Sequence, residues 1–128
     1  PGEAARMLKA TPKEVSADRE GSLKALMKKL DTNVYLKGAP GILALKSQPS
    51  RFYVNLSINP IFSKAGSGDV LSGILGGFLA QRPMDFRQCV FSALVFQREV
   101  GEVLRRKRAS LSADQLDVFS EAFERLQK

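Results

Sequence analysis

Between Asn33 and Leu56 three runs, "VYLKG", "ILALK" and "RFYVNL", are short, rich in β-branched and aromatic residues, and separated by Gly38-Ala39-Pro40-Gly41 and by Gln48-Pro49-Ser50. That texture predicts three strands. The turn between the first two is short enough for a hairpin, so at least one antiparallel pairing is expected. On both sides lie stretches with apolar residues at helical spacing, and three strands offer too little surface to cover that many amphipathic faces. The sheet therefore reads as incomplete, with further strands upstream or in a partner chain.

Ahead of the strands, Pro1 to Leu8 reads as a first helical turn, with proline at its start and Glu3 near the positive end of its dipole. Thr11-Pro12-Lys13-Glu14 has capping-box form, and Leu23, Leu26, Met27 and Leu30 keep helical spacing from Asp18, which predicts one amphipathic helix ending near Leu30. Behind the strands, Val70, Leu71, Ile74, Leu75, Phe78 and Leu79 form an apolar helical pattern interrupted by Gly73, Gly76 and Gly77. Glycine costs a helix interior about 1 kcal/mol against alanine, so a neighbouring element is expected to approach this backbone closely. Pro83 ends the run, and Asp85 opens a long helix from Phe86 to about Arg106 whose apolar side carries Val90, Phe91, Leu94, Val95 and Val100. Ser112-Ala113-Asp114-Gln115 is a second capping box, starting a last helix with Leu116, Phe119, Phe123 and Leu126. Helix, helix, three strands and three helices make an α/β chain.

At 128 residues and 44% hydrophobic, the chain suits one compact domain. Its single cysteine, Cys89, rules out an internal disulfide or a CxxC zinc site, suits a reducing compartment, and reads as core on an apolar helix face. The absence of histidine removes Ser-His and Cys-His pairs and leaves carboxylates, lysines and tyrosines for proton transfer. No cluster of metal ligands is visible. No segment reaches the roughly 18 to 20 apolar residues of a membrane span, and the N-terminus lacks signal-peptide order, so a cytoplasmic protein without a membrane partner is expected. The net charge of +7 suits anionic partners. Its densest run, Arg105-Arg106-Lys107-Arg108, ends a helix without interleaved aromatic residues, so dipole complementation and solvation account for it and nucleic acid is not expected.

Gly66-Ser67-Gly68-Asp69 precedes the glycine-bearing helix. Glycines there let backbone N–H groups converge, and the helix start adds roughly half a positive charge, so a phosphoryl group could be held without a cationic side chain. Asp69 would stand beside that anion as a general base for an attacking hydroxyl. The plainer alternative is that Ser67 or Asp69 caps the helix. No lysine follows the glycines, so this is not a Walker A loop. Lys37-Gly38-Ala39-Pro40-Gly41 likewise offers either a backbone that a ligand can approach or a tight turn with a solvated lysine.

Taken together, "PGEAARML", "LKGAPGILAL", "YVNLSINP", "AGSGDVLSGILGGFLAQ" and "SADQL" resemble, in order and spacing, the C-terminal half of the ADP/ATP-dependent NAD(P)H-hydrate dehydratases of the ribokinase-like superfamily. The resemblance covers nearly the whole chain. It implies that residues 1–128 are the C-terminal portion of a three-layer α/β/α ribokinase-like fold, that the N-terminal half is absent from this chain, and that these residues alone are not a competent enzyme. Members of the family phosphorylate the ring hydroxyl of hydrated NADH or NADPH (NAD(P)HX) with ADP or ATP, and loss of phosphate restores the cofactor. Carried over by position, Lys37, Gly38, Ala39, Pro40 and Gly41 would contact the nucleotide, Gly68 its phosphate, and Asp69 the substrate hydroxyl. The amides of Ala65, Gly66, Ser67 and Gly68 would form the anion hole. Mg2+ is expected with the nucleotide, and a homo-oligomer is expected.

The chain departs from the family pattern at Ser57, Ile58 and Ile61 around the Asn59-Pro60 pair, at Lys64, at Gly41 where threonine is usual, and at Gln97-Arg98 where a histidine-glycine pair is usual. Two further readings follow from the residues: another small-molecule kinase of the superfamily, or a non-catalytic nucleotide-binding fragment.

Overall fold

The computed structural model describes residues 2–57, 59–63, 66–81, 85–107 and 114–128. They divide into two compact units, Pro1–Ile58 and Asn59–Lys128, each built around a hydrophobic core.

The first unit opens with three helices, α1 (Gly2–Leu8), α2 (Pro12–Ala17) and α3 (Arg19–Leu30). The capping box at Thr11 is formed: its hydroxyl accepts from the Glu14 N–H at 3.2 Å, and the Glu14 carboxylate accepts from the Thr11 N–H at 2.7 Å. The single helix expected from there to Leu30 is two, because the Asp18 backbone leaves helical geometry at φ −127°, ψ 80°. Its N–H donates to the Glu14 carbonyl at 3.0 Å and ends α2, while its carboxylate accepts from the Gly21 N–H at 2.8 Å and begins α3. One residue thus serves as stop, through its backbone, and as start, through its side chain.

Strands β1 (Val34–Leu36), β2 (Gly41–Leu45) and β3 (Gln48–Asn55) form an antiparallel sheet in the order β1-β2-β3. The expected hairpin is present between β1 and β2, and a second joins β2 to β3. Val34 pairs with Ala44, Leu36 with Ile42, and Ala44 with Phe52, and this face packs with Ala4, Ala5, Val15, Leu23 and Leu26 of the helices. Gln48-Pro49-Ser50, expected as a turn, instead begins β3, and the turn is Lys46-Ser47. Pro49 is accommodated because the ladder is irregular between the Leu45–Gln48 and Ala44–Phe52 pairs, so its missing N–H costs no bond.

The second unit contains a 3-10 turn at Pro60–Phe62, then α4 (Ser67–Gln81), α5 (Phe86–Arg106), α6 (Asp114–Asp117) and α7 (Phe119–Leu126). Helix α5 has its expected bounds, with the Asp85 carboxylate accepting from the Gln88 N–H at 3.1 Å. Its buried stripe differs from expectation: Cys89, Val90, Ala93, Phe96, Val100, Val103 and Leu104 are buried, while Phe91 and Leu94 are half-buried and Val95 is 44% exposed. Small residues such as Ala93 and Gly101 admit close neighbours on the packed side, between its larger residues. Phe96 occupies the centre, stacked on Phe123 at 4.1 Å and edge-on to Phe119 at 5.1 Å.

The last helix also breaks in two, at the buried Val118. Gln115, Val118 and Ala122 are buried, whereas Leu116, Phe123 and Leu126, expected on the inner face, are substantially exposed. Pro83, Arg108, Ser112 and Ala113 lie outside the described residues. The glycines of α4 correct another expectation: nothing among the described residues comes within 4 Å of the place a Cβ would take on Gly73, Gly76 or Gly77. Gly73 and Gly77 instead border an apolar cleft of about 210 Å³ with Phe78, Phe96, Phe119 and Phe123.

Candidate active site

The Lys37–Pro40 loop joins β1 to β2 beyond their last ladder pair, Leu36 with Ile42. Gly38 has φ +146°, a conformation that side chains rarely adopt. The ladder does not hold this backbone. Arg19, the first residue of α3, does: its Nη2 donates to the carbonyls of Leu36 at 3.2 Å, Lys37 at 3.4 Å and Pro40 at 2.7 Å. On the adjoining strand, Gly41 leaves room for the Tyr35 hydroxyl, which a Cβ at 41 would strike. Asn55 Nδ2 donates to that hydroxyl at 3.4 Å, and burial pushes the Tyr35 phenol above its ordinary pKa against the opposing pull of Asn55 and Arg19.

Lys37 is exposed, and its ammonium donates to Glu3 on α1 at 3.2 Å. The hydrogen bond from Lys37, reinforced by its charge, holds the Glu3 carboxyl below the usual glutamate range. A pair this open to water is worth at most about 1 kcal/mol. The lysine therefore remains available to a stronger anion.

In the second unit, Gly66 turns the chain into α4 with φ +84°. The Gly66 carbonyl accepts from the N–H groups of Asp69 at 3.0 Å and Val70 at 3.1 Å. Ser67 opens the helix and donates its hydroxyl to the Phe62 carbonyl at 2.7 Å. Gly68 is half-buried in the first turn, and the Asp69 side chain is exposed there, with no ion-pair partner among the described residues. A fifteen-residue helix brings its positive end to this turn. Gln97 Nε2, on α5, reaches the Ser67 carbonyl at 3.5 Å. Ala65, Lys64 and Ile58 lie outside the described residues, while Ile61 packs against the core of this unit and Ser57 is exposed.

Gly66, Ser67, Gly68 and Asp69 thus form one helix-start constellation, and Lys37 to Gly41 form a second within the other unit. Arg19, Glu3, Tyr35 and Gln97 join these constellations without any signal of spacing in the sequence. Arg19 precedes Lys37 by 18 residues, a separation that only the packing of α3 beside the sheet makes short. Among the described residues no group of three or more His, Cys, Asp or Glu side chains could hold a metal ion.

The family profile described as NAD(P)H-hydrate dehydratase matches residues 1–123. The chain belongs to the NAD(P)H-hydrate dehydratase family. It is 43% identical over 81 residues to an ADP-dependent (S)-NAD(P)H-hydrate dehydratase of Neisseria meningitidis, a match covering 63% of this chain and 27% of that protein. It is 32% identical over 114 residues to a bifunctional NAD(P)H-hydrate repair enzyme of Gloeobacter violaceus, covering 89% of this chain and 21% of that one. Its fold matches a crystal structure of ADP/ATP-dependent NAD(P)H-hydrate dehydratase from Bacillus subtilis, co-crystallised with ATP and Mg2+, with a TM-score of 0.81 and 24% identity. That match covers 98% of this chain and 45% of the Bacillus one, so the chain spans less than half the length of these dehydratase-family relatives. The α/β fold expected from the sequence is thus the fold of this dehydratase family, in part.

Proposed function

We propose that the protein acts in the repair of hydrated NADH and NADPH, using ADP or ATP to phosphorylate the ring hydroxyl before phosphate is lost. The family match over residues 1–123 carries this reading. The local chemistry supports it: an exposed carboxylate stands in the first turn of a long helix entered through glycines.

In the proposed division of roles, Lys37 to Gly41 bind the nucleotide, with Lys37 exchanging Glu3 for phosphate. The amides of Ala65 to Gly68 stabilise charge on the transferred phosphoryl group. Asp69 accepts the proton of the substrate hydroxyl as its oxygen bonds to the terminal phosphorus, and the phosphorus–oxygen bond to the departing nucleotide breaks. The carbon–oxygen bond then breaks, phosphate leaves with the electron pair, and loss of a proton from the neighbouring ring carbon restores the dihydronicotinamide. The described residues form no metal cage. Mg2+ is proposed as a companion of the nucleotide phosphates. Residues 1–128 would supply the C-terminal part of the complete domain, with the remaining substrate contacts made elsewhere.

In a protein carrying the complete domain, Asp69→Asn should lower turnover at least about a hundredfold while nucleotide still binds, the scale expected for loss of a general base. Recovery of reduced-nicotinamide absorbance from NADHX with ADP or ATP measures it, and unchanged turnover would overturn the role of Asp69. Accumulation of a stable phosphorylated product would point instead to a kinase without the elimination step.

A further inference from the structure

We propose that Arg19 is a positioning residue for the nucleotide, fixing the backbone of the Lys37–Gly41 loop, an inference that rests on assigning the nucleotide to that loop. Three carbonyls, of Leu36, Lys37 and Pro40, converge on one guanidinium nitrogen at 3.2, 3.4 and 2.7 Å. Those carbonyls bracket the stretch where the β1–β2 ladder has ended, so strand pairing cannot set the shape of the loop. The edge of the guanidinium that carries both terminal nitrogens also faces Gly38: a Cβ there would stand 2.9 Å from each of them. Loop and arginine therefore fit each other from two sides, the glycine leaving the space and the guanidinium filling it.

The chemistry selects arginine. The rigid guanidinium holds Nη2 toward the three carbonyls and both terminal nitrogens beside Gly38, whereas a lysine ammonium, though it has three donors, is a single centre on a flexible stem. Carbonyl dipoles meet the positive charge at Nη2, and the Lys37 side chain is left for the ligand. Lys37 is then held at its backbone by Arg19 and, in the resting protein, at its ammonium by Glu3. Arg19 belongs to α3, outside the loop, and acts through the loop.

The test is calorimetric titration of ATP and ADP into full-length wild-type, Arg19→Met and Arg19→Lys proteins, with steady-state kinetics and melting curves on each. For Arg19→Met the nucleotide Kd and KM should both rise about tenfold, while kcat at saturating nucleotide and the KM for the hydrated cofactor stay within about threefold, equivalent to about 1.4 kcal/mol confined to nucleotide binding. Arg19→Lys should show the same split with a smaller rise, and it carries the test alone if Arg19→Met does not fold. A nucleotide Kd within about twofold of wild type in a folded variant, or a loss residing in kcat, would overturn the positioning role. A wild-type protein that binds no nucleotide would overturn the assignment of the loop itself.

Discussion

Gly41 and Lys37 show how a single side chain, or its absence, shapes the first constellation. Gly41 is buried and pairs with Asn55 across the sheet, and the space above its Cα belongs to the Tyr35 hydroxyl. Gly41→Ala would force the tyrosine aside in a packed region, and overpacking of this kind costs about 1–3 kcal/mol. A chemical melt of the variant should move its midpoint to lower denaturant by that amount, and a midpoint equal to wild type would mean that the ring yields freely. Lys37 is different in kind: it is exposed, and its partner Glu3 holds it weakly. The sequence presented both as members of one short motif. Their unlike roles come from what lies beside them, a half-buried tyrosine in one case and solvent in the other.

Among the elements, the boundaries of α5 and the cap of α2 follow from local chemistry that the sequence displays, Asp85 and Thr11 each accepting from the amide three residues on. The break at Asp18 uses the same chemistry, its carboxylate accepting from the Gly21 amide, whereas Val118 makes no side-chain cap bond and its break has no such local signal. The face that each helix buries was hidden in part. Of the residues expected on the inner side of α5, Val90 and Val100 are buried, but Phe91 and Leu94 are only half-buried and Val95 is exposed, while Ala93, Phe96 and Val103 complete the core, because close packing rewards a fit between neighbours. Gly101 is the clearest case of such fit. A Cβ there would stand 2.5 Å from Asn59 Nδ2 and 2.7 Å from the Phe62 ring, so Gly101→Ala should push the 3-10 turn off α5. The expected loss is about 1–3 kcal/mol in thermal or chemical unfolding, with a larger share of the change at the Asn59-Pro60 turn when followed by hydrogen exchange. For α4 the logic runs the other way: its three glycines cost helix stability without a close neighbour among the described residues, and their packing role is not supported in this chain.

For the molecule as a whole, the ionisable groups set a pH window. Glu3, Glu14 and Glu102 are each held below the ordinary glutamate value, by the hydrogen bond from Lys37, by the backbone and side-chain hydrogen bonds from Thr11, and by the hydrogen bond from Arg105 respectively. A carboxylate whose folded pKa is depressed stabilises the fold above its unfolded value, and that contribution is lost as pH falls through the folded one. Tyr35 is raised by burial, so its contribution is present below the ordinary phenol value near 10 and is lost as pH rises beyond it. Stability should therefore be level from just above the ordinary glutamate value of 4.5 to about pH 10 and decline on both sides. Tyr35→Phe should flatten the alkaline limb selectively, measured as unfolding free energy against pH. An unchanged alkaline limb would remove Tyr35 as its source.

The sequence by itself determined the α/β class, three strands with at least one antiparallel pair, the helix that follows the glycine loop, and the five motifs that carry the family resemblance. Those properties depend on neighbours in the chain: side-chain alternation, turn residues, caps and glycines that free the backbone. Only the tertiary structure decided that Arg19 lies beneath the Lys37–Gly41 loop, that Glu3 meets Lys37, that Gln97 reaches the start of α4, and that Gly101 receives the Asn59-Pro60 turn. Each of these is a contact between residues 17 to 42 positions apart, made by side chains whose reach and direction are fixed when helices pack. No local pattern encodes such a meeting, because the energy that creates it belongs to the packed surfaces and not to either segment.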